Sequence, residues 1–116
     1  MKTRYLFGLP FVTIKMSSKE EELLVDTGFN GSLLLPLHKI HELSLSRIGF
    51  TRYALADGTV IEAEVFVAEI TWLSKKKRVN VISSPSDFAL LGMELLRNTK
   101  TVLEPAKGVI SIEPSE

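Results

Sequence analysis

The sequence contains no cysteine, only two histidines and only three aspartates among its 116 residues. Without cysteine, disulfide bonds and thiolate-ligated metal sites are excluded. Lysine plus arginine balances aspartate plus glutamate at 14 each, so the formal net charge is zero. A neutral chain has no whole-molecule attraction to nucleic acid or to an anionic membrane, and it lacks the self-repulsion that opposes self-association.

Long hydrophobic runs are also absent. No apolar stretch approaches the 18 residues that a membrane-spanning helix needs. The stretch from Tyr5 to Ile14 is interrupted by Gly8 and Pro10, and Lys15 ends it without a small-residue cleavage site. The alternation of apolar and polar side chains over residues 11–16 is better explained by a strand than by a signal peptide. We expect a cytoplasmic protein with no membrane partner.

The length of the chain fits one domain, residues 1–116. Apolar and polar residues mostly alternate, and turn-forming residues recur every 8 to 12 positions in the manner of an all-β barrel or sandwich. Two short helices are predicted, one at residues 37–43, where Pro36 precedes apolar residues at helical spacing, and one at residues 93–98. The predicted strands are residues 11–16, 21–26, 32–35, 47–55, 60–72, 78–82, 88–91, 101–103 and 109–112.

Two motifs stand out within this pattern. An apolar strand ends in Asp26-Thr27-Gly28, and the loop that follows contains a second glycine at Gly31. About 60 residues later, Leu90-Leu91-Gly92 precedes the second predicted helix. Taken alone, Asp-Thr-Gly is equally consistent with an ordinary turn, because Asp and Gly are common turn residues.

Together, the two motifs resemble the paired signature of the retropepsin-like aspartic proteases, particularly the prokaryotic single-domain group. The resemblance extends from about residue 11 to residue 112, but it is specific only at the motifs. It implies an all-β, retropepsin-like acid-protease barrel with one or two short helices, active as a symmetric homodimer. It also implies that the later apolar-apolar-Gly strand passes beneath the Asp-Thr-Gly loop, with the helix supporting that loop.

Aspartic-protease chemistry requires two carboxylates held close together, one as base and one as acid. Asp57 lies at a predicted hairpin tip and Asp87 in a polar loop, and neither precedes Thr-Gly. The second carboxylate is therefore expected from Asp26 of another copy, related by a two-fold axis. The resemblance implies catalytic roles for Asp26, for Thr27, whose hydroxyl bonds to the partner loop, and for Gly28, which donates its N–H.

A predicted Asp-Gly hairpin lies between the two motifs, where this family places a flap over its substrate. An ordinary surface hairpin would fit the same residues. The resemblance implies that a peptide or protein substrate contacts the flap and the loop after Gly28. The implied substrate-binding residues are Phe29, Asn30, Ala56, Asp57, Gly58 and Thr59.

Two departures from the retroviral members of the family stand out. Phe29 occupies the position of a common alanine, so its ring would reshape the substrate pocket or pack into the dimer interface. Met93 follows Gly92 where those enzymes have a bracing arginine. These departures favour an alternative in which the same fold is a catalytically silent dimerisation or peptide-binding module. By analogy alone, the strands at 101–103 and 109–112 would form the dimer interface.

Other constellations are weaker. His38 and His41 with Glu42 lack a third local ligand, so no metal or other cofactor is expected. Ser32 has no surrounding nucleophile-elbow pattern. The basic cluster at residues 75–78 would suit nucleic acid, but a solvated hairpin turn is favoured and no nucleic-acid partner is expected. The leading interpretation is an aspartic-type endopeptidase, a hydrolase of peptide bonds.

Overall fold

The computed structural model describes residues 1–54 and 57–116, and strands dominate it. This confirms the all-β prediction and the two short helices. A 3-10 turn, Pro105–Lys107, separates the last two strands. The elements in chain order are β1 (Lys2–Leu6), β2 (Leu9–Met16), β3 (Lys19–Val25), β4 (Leu33–Pro36), α1 (Leu37–Glu42), β5 (Ser46–Ala54), β6 (Val60–Trp72), β7 (Lys75–Ser84), β8 (Leu90–Leu91), α2 (Met93–Leu96), β9 (Thr99–Glu104) and β10 (Val109–Pro114).

Two tight hairpin turns differ from the sequence prediction. Phe7 and Gly8 have φ of 52° and 76° and join β1 to β2. The sequence analysis did not predict β1. Leu73 and Ser74 have φ of 49° and 69° and join β6 to β7. Two-residue turns with positive φ match the right-handed twist of paired strands. The basic residues 75–77 therefore begin β7, and the prediction that they form the turn was wrong.

Eight strands form one sheet in the order β1-β2-β3-β8-β4-β7-β6-β5. The short strand β8 pairs in parallel with β3 and antiparallel with β4, and β4 pairs in parallel with β7. A further pairing of β2 with β6, at Lys15 opposite Thr71 and Met16 opposite Ile70, folds the sheet back on itself. β9 and β10 form a separate two-stranded sheet. The centre of the sheet is thus built around β8.

The core lies between the folded-back parts of this sheet. Burial of the apolar side chains in this core is the main favourable contribution to folding. Tyr5 ties the two-stranded sheet to β1, since its hydroxyl donates to the carbonyl of Val109 at 2.9 Å. The largest fully buried side chains are Met16, Leu23, Leu33, Leu35, Ile40, Ile70, Leu91 and Leu95.

Three predicted elements are shorter in the structure than expected. Of the strand expected at 88–91 only Leu90–Leu91 pairs, and Phe88 is 66% exposed rather than buried. The helices end at Glu42 and Leu96 instead of residues 43 and 98. Nowhere in the described part of the chain is a helix long and apolar enough to cross a membrane.

Candidate active site

Asp26 directly follows β3, at the point where that strand leaves the sheet. Its N–H donates to the carbonyl of Leu91 at 2.9 Å, which extends the parallel pairing of β3 with β8 by one bond. The neighbouring Val25 is buried and Asp26 is half-buried. The backbone of Asp26 is therefore fixed by the most central pairing of the sheet.

The Asp26 loop, residues 26–32, turns tightly after this point. The Gly28 N–H donates to Oδ1 of Asp26 at 2.8 Å, and the Phe29 N–H donates to the Asp26 carbonyl at 3.2 Å. A Cβ built on Gly28 would lie 3.2 Å from the same Oδ1, tighter than most such contacts. The Gly28 amide thus orients the Asp26 carboxylate, and a larger side chain at position 28 would crowd that carboxylate. Thr27 and Gly28 are both exposed.

The start of α2 holds the other end of the Asp26 loop. The first N–H groups of a helix have no acceptor within the helix, so they need outside partners. Here three consecutive N–H groups donate to carbonyls of the loop. The pairs are Gly92 to Ser32 at 2.9 Å, Met93 to Phe29 at 2.7 Å and Glu94 to Gly31 at 3.1 Å.

The Phe29 ring packs inside its own chain, where it is 9% exposed. A Cβ on Gly31 would lie 2.6 Å from Cζ of this ring, and a Cβ on Gly92 would lie 2.5 Å from Cδ2. Both positions must therefore be glycine while the ring is present. The ring supports the loop from within, and its contact with substrate stays a prediction. Sequence reasoning missed the roles of Gly31 and Gly92 as space for Phe29.

The predicted flap is the hairpin of β5 and β6, paired up to Ala54 opposite Val60. At its tip, Oδ1 of Asp57 accepts from the Thr59 N–H at 2.9 Å, and this bond lowers the pKa of Asp57. Gly58 has φ of 87°, which glycine adopts without strain. Ala56 lies outside the described residues. In the part of the chain that is described, no hydrogen bond joins residues 57–59 to the Asp26 loop.

A cavity of about 420 Å³, here named the β7 cavity, lies beside the Asp26 loop. Asn30 is exposed and lines it, together with Thr51 of β5 and Arg78 of β7. Asp26 is not among its lining residues. The structure thus brings Asn30 next to the β5–β6 hairpin and to a basic part of β7. Among the residues that line this cavity, the sequence analysis had singled out Asn30 and the basic residues Lys77 and Arg78.

The two histidines and Ser32 occupy different parts of the chain, since the histidines lie on α1 and Ser32 ends the Asp26 loop. His38 and His41 are exposed on α1. Residues 1–54 and 57–116 contain no group of three histidine or acidic side chains arranged to hold a metal ion. Ser32 is buried before β4, and its carbonyl rather than its hydroxyl makes the bond to α2. No nucleophilic role for Ser32 is supported by this placement.

No protein-family model matches the sequence, and no curated protein matches it. Several solved structures do match. A retropepsin-like aspartic protease from Rickettsia conorii superposes with a TM-score of 0.73 at 20% identity, over 97% of this chain and 87% of that one. EIAV protease, solved with the inhibitor HBY-793, gives 0.71 at 18% identity, over 88% of this chain and 100% of that one. Simian foamy virus (mac) protease gives 0.56 at 15% identity, over 74% and 90%. The chain therefore has the fold of the retropepsin-like aspartic proteases.

Proposed function

We propose that this protein is an aspartic endopeptidase whose active site forms between two copies of the chain. The observation that carries the proposal is the fixed position of Asp26. Its backbone is bonded to Leu91, its Oδ1 accepts from Gly28, and its loop is held by the start of α2. In a fold shared with aspartic proteases, a carboxylate held so firmly at a strand end suits acid–base chemistry.

The proposed reaction needs a second carboxylate. Asp57 and Asp87 are exposed in other loops, so the partner's Asp26 is the group that would complete the pair. Two adjacent carboxyl groups share one proton, because two negative charges at short range repel each other. The ionised member takes a proton from water while the water oxygen forms a bond to the peptide carbonyl carbon, and the carbonyl oxygen takes the proton of the neutral member as the C=O π bond opens. The C–N bond then breaks as the amine receives a proton from the pair.

An extended peptide would lie between the Asp26 loops and the β5–β6 hairpins, paired by its backbone with their strands. Asp57, Gly58 and Thr59 would cover it together with Ala56. Asn30, exposed at the edge of the loop, would contact it directly. Thr27 of each subunit would bond to the opposite loop, while Phe29 would hold each loop from inside.

Two measurements test the proposal, and the first is molecular mass by light scattering from micromolar concentration downward. A dimer near twice 12.9 kDa is expected.

The second measurement is cleavage of a peptide library, with inhibition by pepstatin as a criterion. Asp26→Asn should lower kcat by about 10²- to 10⁴-fold without dissociating the dimer. Asp87→Asn, an identical change in an exposed loop, is the matched control. A strict monomer, or unchanged cleavage by Asp26→Asn, would contradict the proposal.

The second candidate is a catalytically silent dimerisation or peptide-binding module with the same fold. Met93 favours it. Retroviral members have at this position an arginine that braces the catalytic region, whereas the Met93 side chain is 40% exposed. This candidate predicts a dimer that binds peptides without cleaving them. Peptide binding that survives Asp26→Asn, in a wild-type protein that leaves the whole library intact, would select it. Any pepstatin-sensitive cleavage would rule it out.

A further inference from the structure

The β7 cavity touches both segments expected to surround a substrate. Asn30 and Ser32 of the Asp26 loop form one side, and Thr51 of β5 contributes from the β5–β6 hairpin. Residues 77–80 of β7 form the remaining wall. A peptide that extended beyond the Asp26 loop along this side would therefore enter the cavity.

The wall formed by β7 has an open strand edge. β4 pairs only with the last four residues of β7, from Val81 to Ser84. Residues 75–80 pair with β6 on one edge, and within residues 1–54 and 57–116 no strand pairs with their other edge. Open edges of this kind accept an added strand through main-chain hydrogen bonds. An extended peptide is thus the ligand whose shape fits this wall.

Arg78 makes the open edge electropositive. It stands opposite Glu69 in the register, but the Glu69 carboxylate lies 3.8 Å from Nζ of Lys76. In the described part of the chain Arg78 itself makes no ion pair. Alternation along β7 places Arg78 on the same face as Ile82, which pairs with Val65, another lining residue. Arg78 is itself a lining residue, so its guanidinium is available to a ligand in the cavity.

The one acidic lining residue does not cancel this charge. Glu94 of α2 is ion-paired with Arg97, one turn further along the chain. Lys77 is a second basic lining residue. The charge available to a ligand is therefore positive, and a guanidinium suits a carboxylate because it can donate two parallel hydrogen bonds.

We propose that the β7 cavity binds an extended peptide segment with an acidic side chain, held on the open edge of β7 with its carboxylate at Arg78. The inference rests on the proposed function, since this segment would be the part of the substrate that lies beyond the Asp26 loop. It names a substrate class, namely peptides with Asp or Glu at a distance from the cleaved bond.

Binding can be measured without cleavage in the Asp26→Asn variant. The probes are two blocked peptides, one of alternating Val and Glu and one of alternating Val and Gln, titrated into ¹⁵N-labelled protein. We expect shifts of the amide signals of residues 77–80 and about two- to fivefold tighter binding of the Glu peptide, as for an exposed ion pair. Arg78→Gln should abolish the difference, whereas Arg78→Lys should retain part of it. Arg4→Gln on β1 is the matched control and should leave the preference for the Glu peptide unchanged.

Equal binding of the two peptides, a preference that survives Arg78→Gln, or amide shifts confined to another surface would each overturn the inference. The proposed function fails separately. If wild-type protein cleaves nothing but the Arg78-dependent preference is present, the inference holds and the protease assignment does not. If the protein cleaves peptides with no preference that depends on Arg78, the protease assignment holds and the inference does not.

Discussion

Gly92 lies directly against Phe29, so that a Cβ on Gly92 would come within 2.5 Å of both Cδ2 of the ring and the carbonyl oxygen of Phe29. The same Cβ would also clash with the carbonyl of Gly31. Two of these three obstacles are backbone atoms, which cannot rotate away. The contact places the residue before α2 and the centre of the Asp26 loop in a single packed unit.

Gly92→Ala should therefore destabilise the protein by about 1–3 kcal/mol, the usual cost of overpacking, or more if the bonds to α2 are lost. Urea unfolding measures this change. Gly49→Ala is the matched control, because nothing lies within 4 Å of a Cβ at Gly49. The control should stay within about 0.5 kcal/mol of wild type. Equal stability of both variants would contradict the packing described for Gly92.

Phe29→Ala should cost about 3–5 kcal/mol, since it leaves a cavity under the Asp26 loop. The same truncation at Phe7, which is 92% exposed on the first hairpin turn, should be nearly neutral. Chemical denaturation of the two variants gives the comparison. If Phe29→Ala unfolded like wild type but bound peptide more weakly, the ring would be a substrate contact rather than a support.

Asp57→Ala should release the Thr59 N–H, because its acceptor is removed, whereas Asp57→Asn keeps a carbonyl oxygen in the same place. The Thr59 amide signal in NMR spectra reports the bond. In wild type the lowered pKa of Asp57 means that the charged acceptor persists below the usual range of an aspartate, about pH 3.9, and is lost as pH falls further. A Thr59 signal that titrated at or above that pH would be inconsistent with the bond.

Glu22 accepts two hydrogen bonds from Arg4, each at 2.7 Å, and they lower its pKa. A lowered folded-state pKa contributes stability above the unfolded value of about 4.3, and this stability is lost as pH falls through the folded value. Glu22→Gln should therefore reduce the loss of stability between neutral pH and about pH 3. The effect should be small, because the Arg4 side chain is 59% exposed.

Urea midpoints at the two pH values measure the contribution of Glu22. Glu113→Gln on β10 serves as control, since Glu113 is exposed and makes no ion pair within residues 1–54 and 57–116. Its pH dependence should match wild type. Identical behaviour of the Glu22 and Glu113 variants would show that the β1–β3 ion pair contributes nothing in solution.

The sequence predicted the β-rich fold because alternation is a local property of each strand, and the expected strand at 60–72 coincides with β6. Turns were harder. Leu73-Ser74 contains neither Gly nor Asn, so nothing local indicated positive φ, and the basic residues were placed in the turn instead of in β7. The position of Asp26 at a strand end was predictable from its motif. The burial of Phe29 was not, because it depends on Gly92, which is distant in sequence.

The three bonds from the start of α2 to the Asp26 loop mean that neither segment can open alone. If α2 frays, the carbonyls of Phe29, Gly31 and Ser32 lose their donors, and if the loop rearranges, the first turn of α2 loses its caps. Local unfolding should then expose both together, as one cooperative unit in hydrogen exchange. Substitutions in the β5–β6 hairpin or at residues 75–80 of β7 leave these three bonds in place, so those surfaces can vary while Asp26 keeps its position.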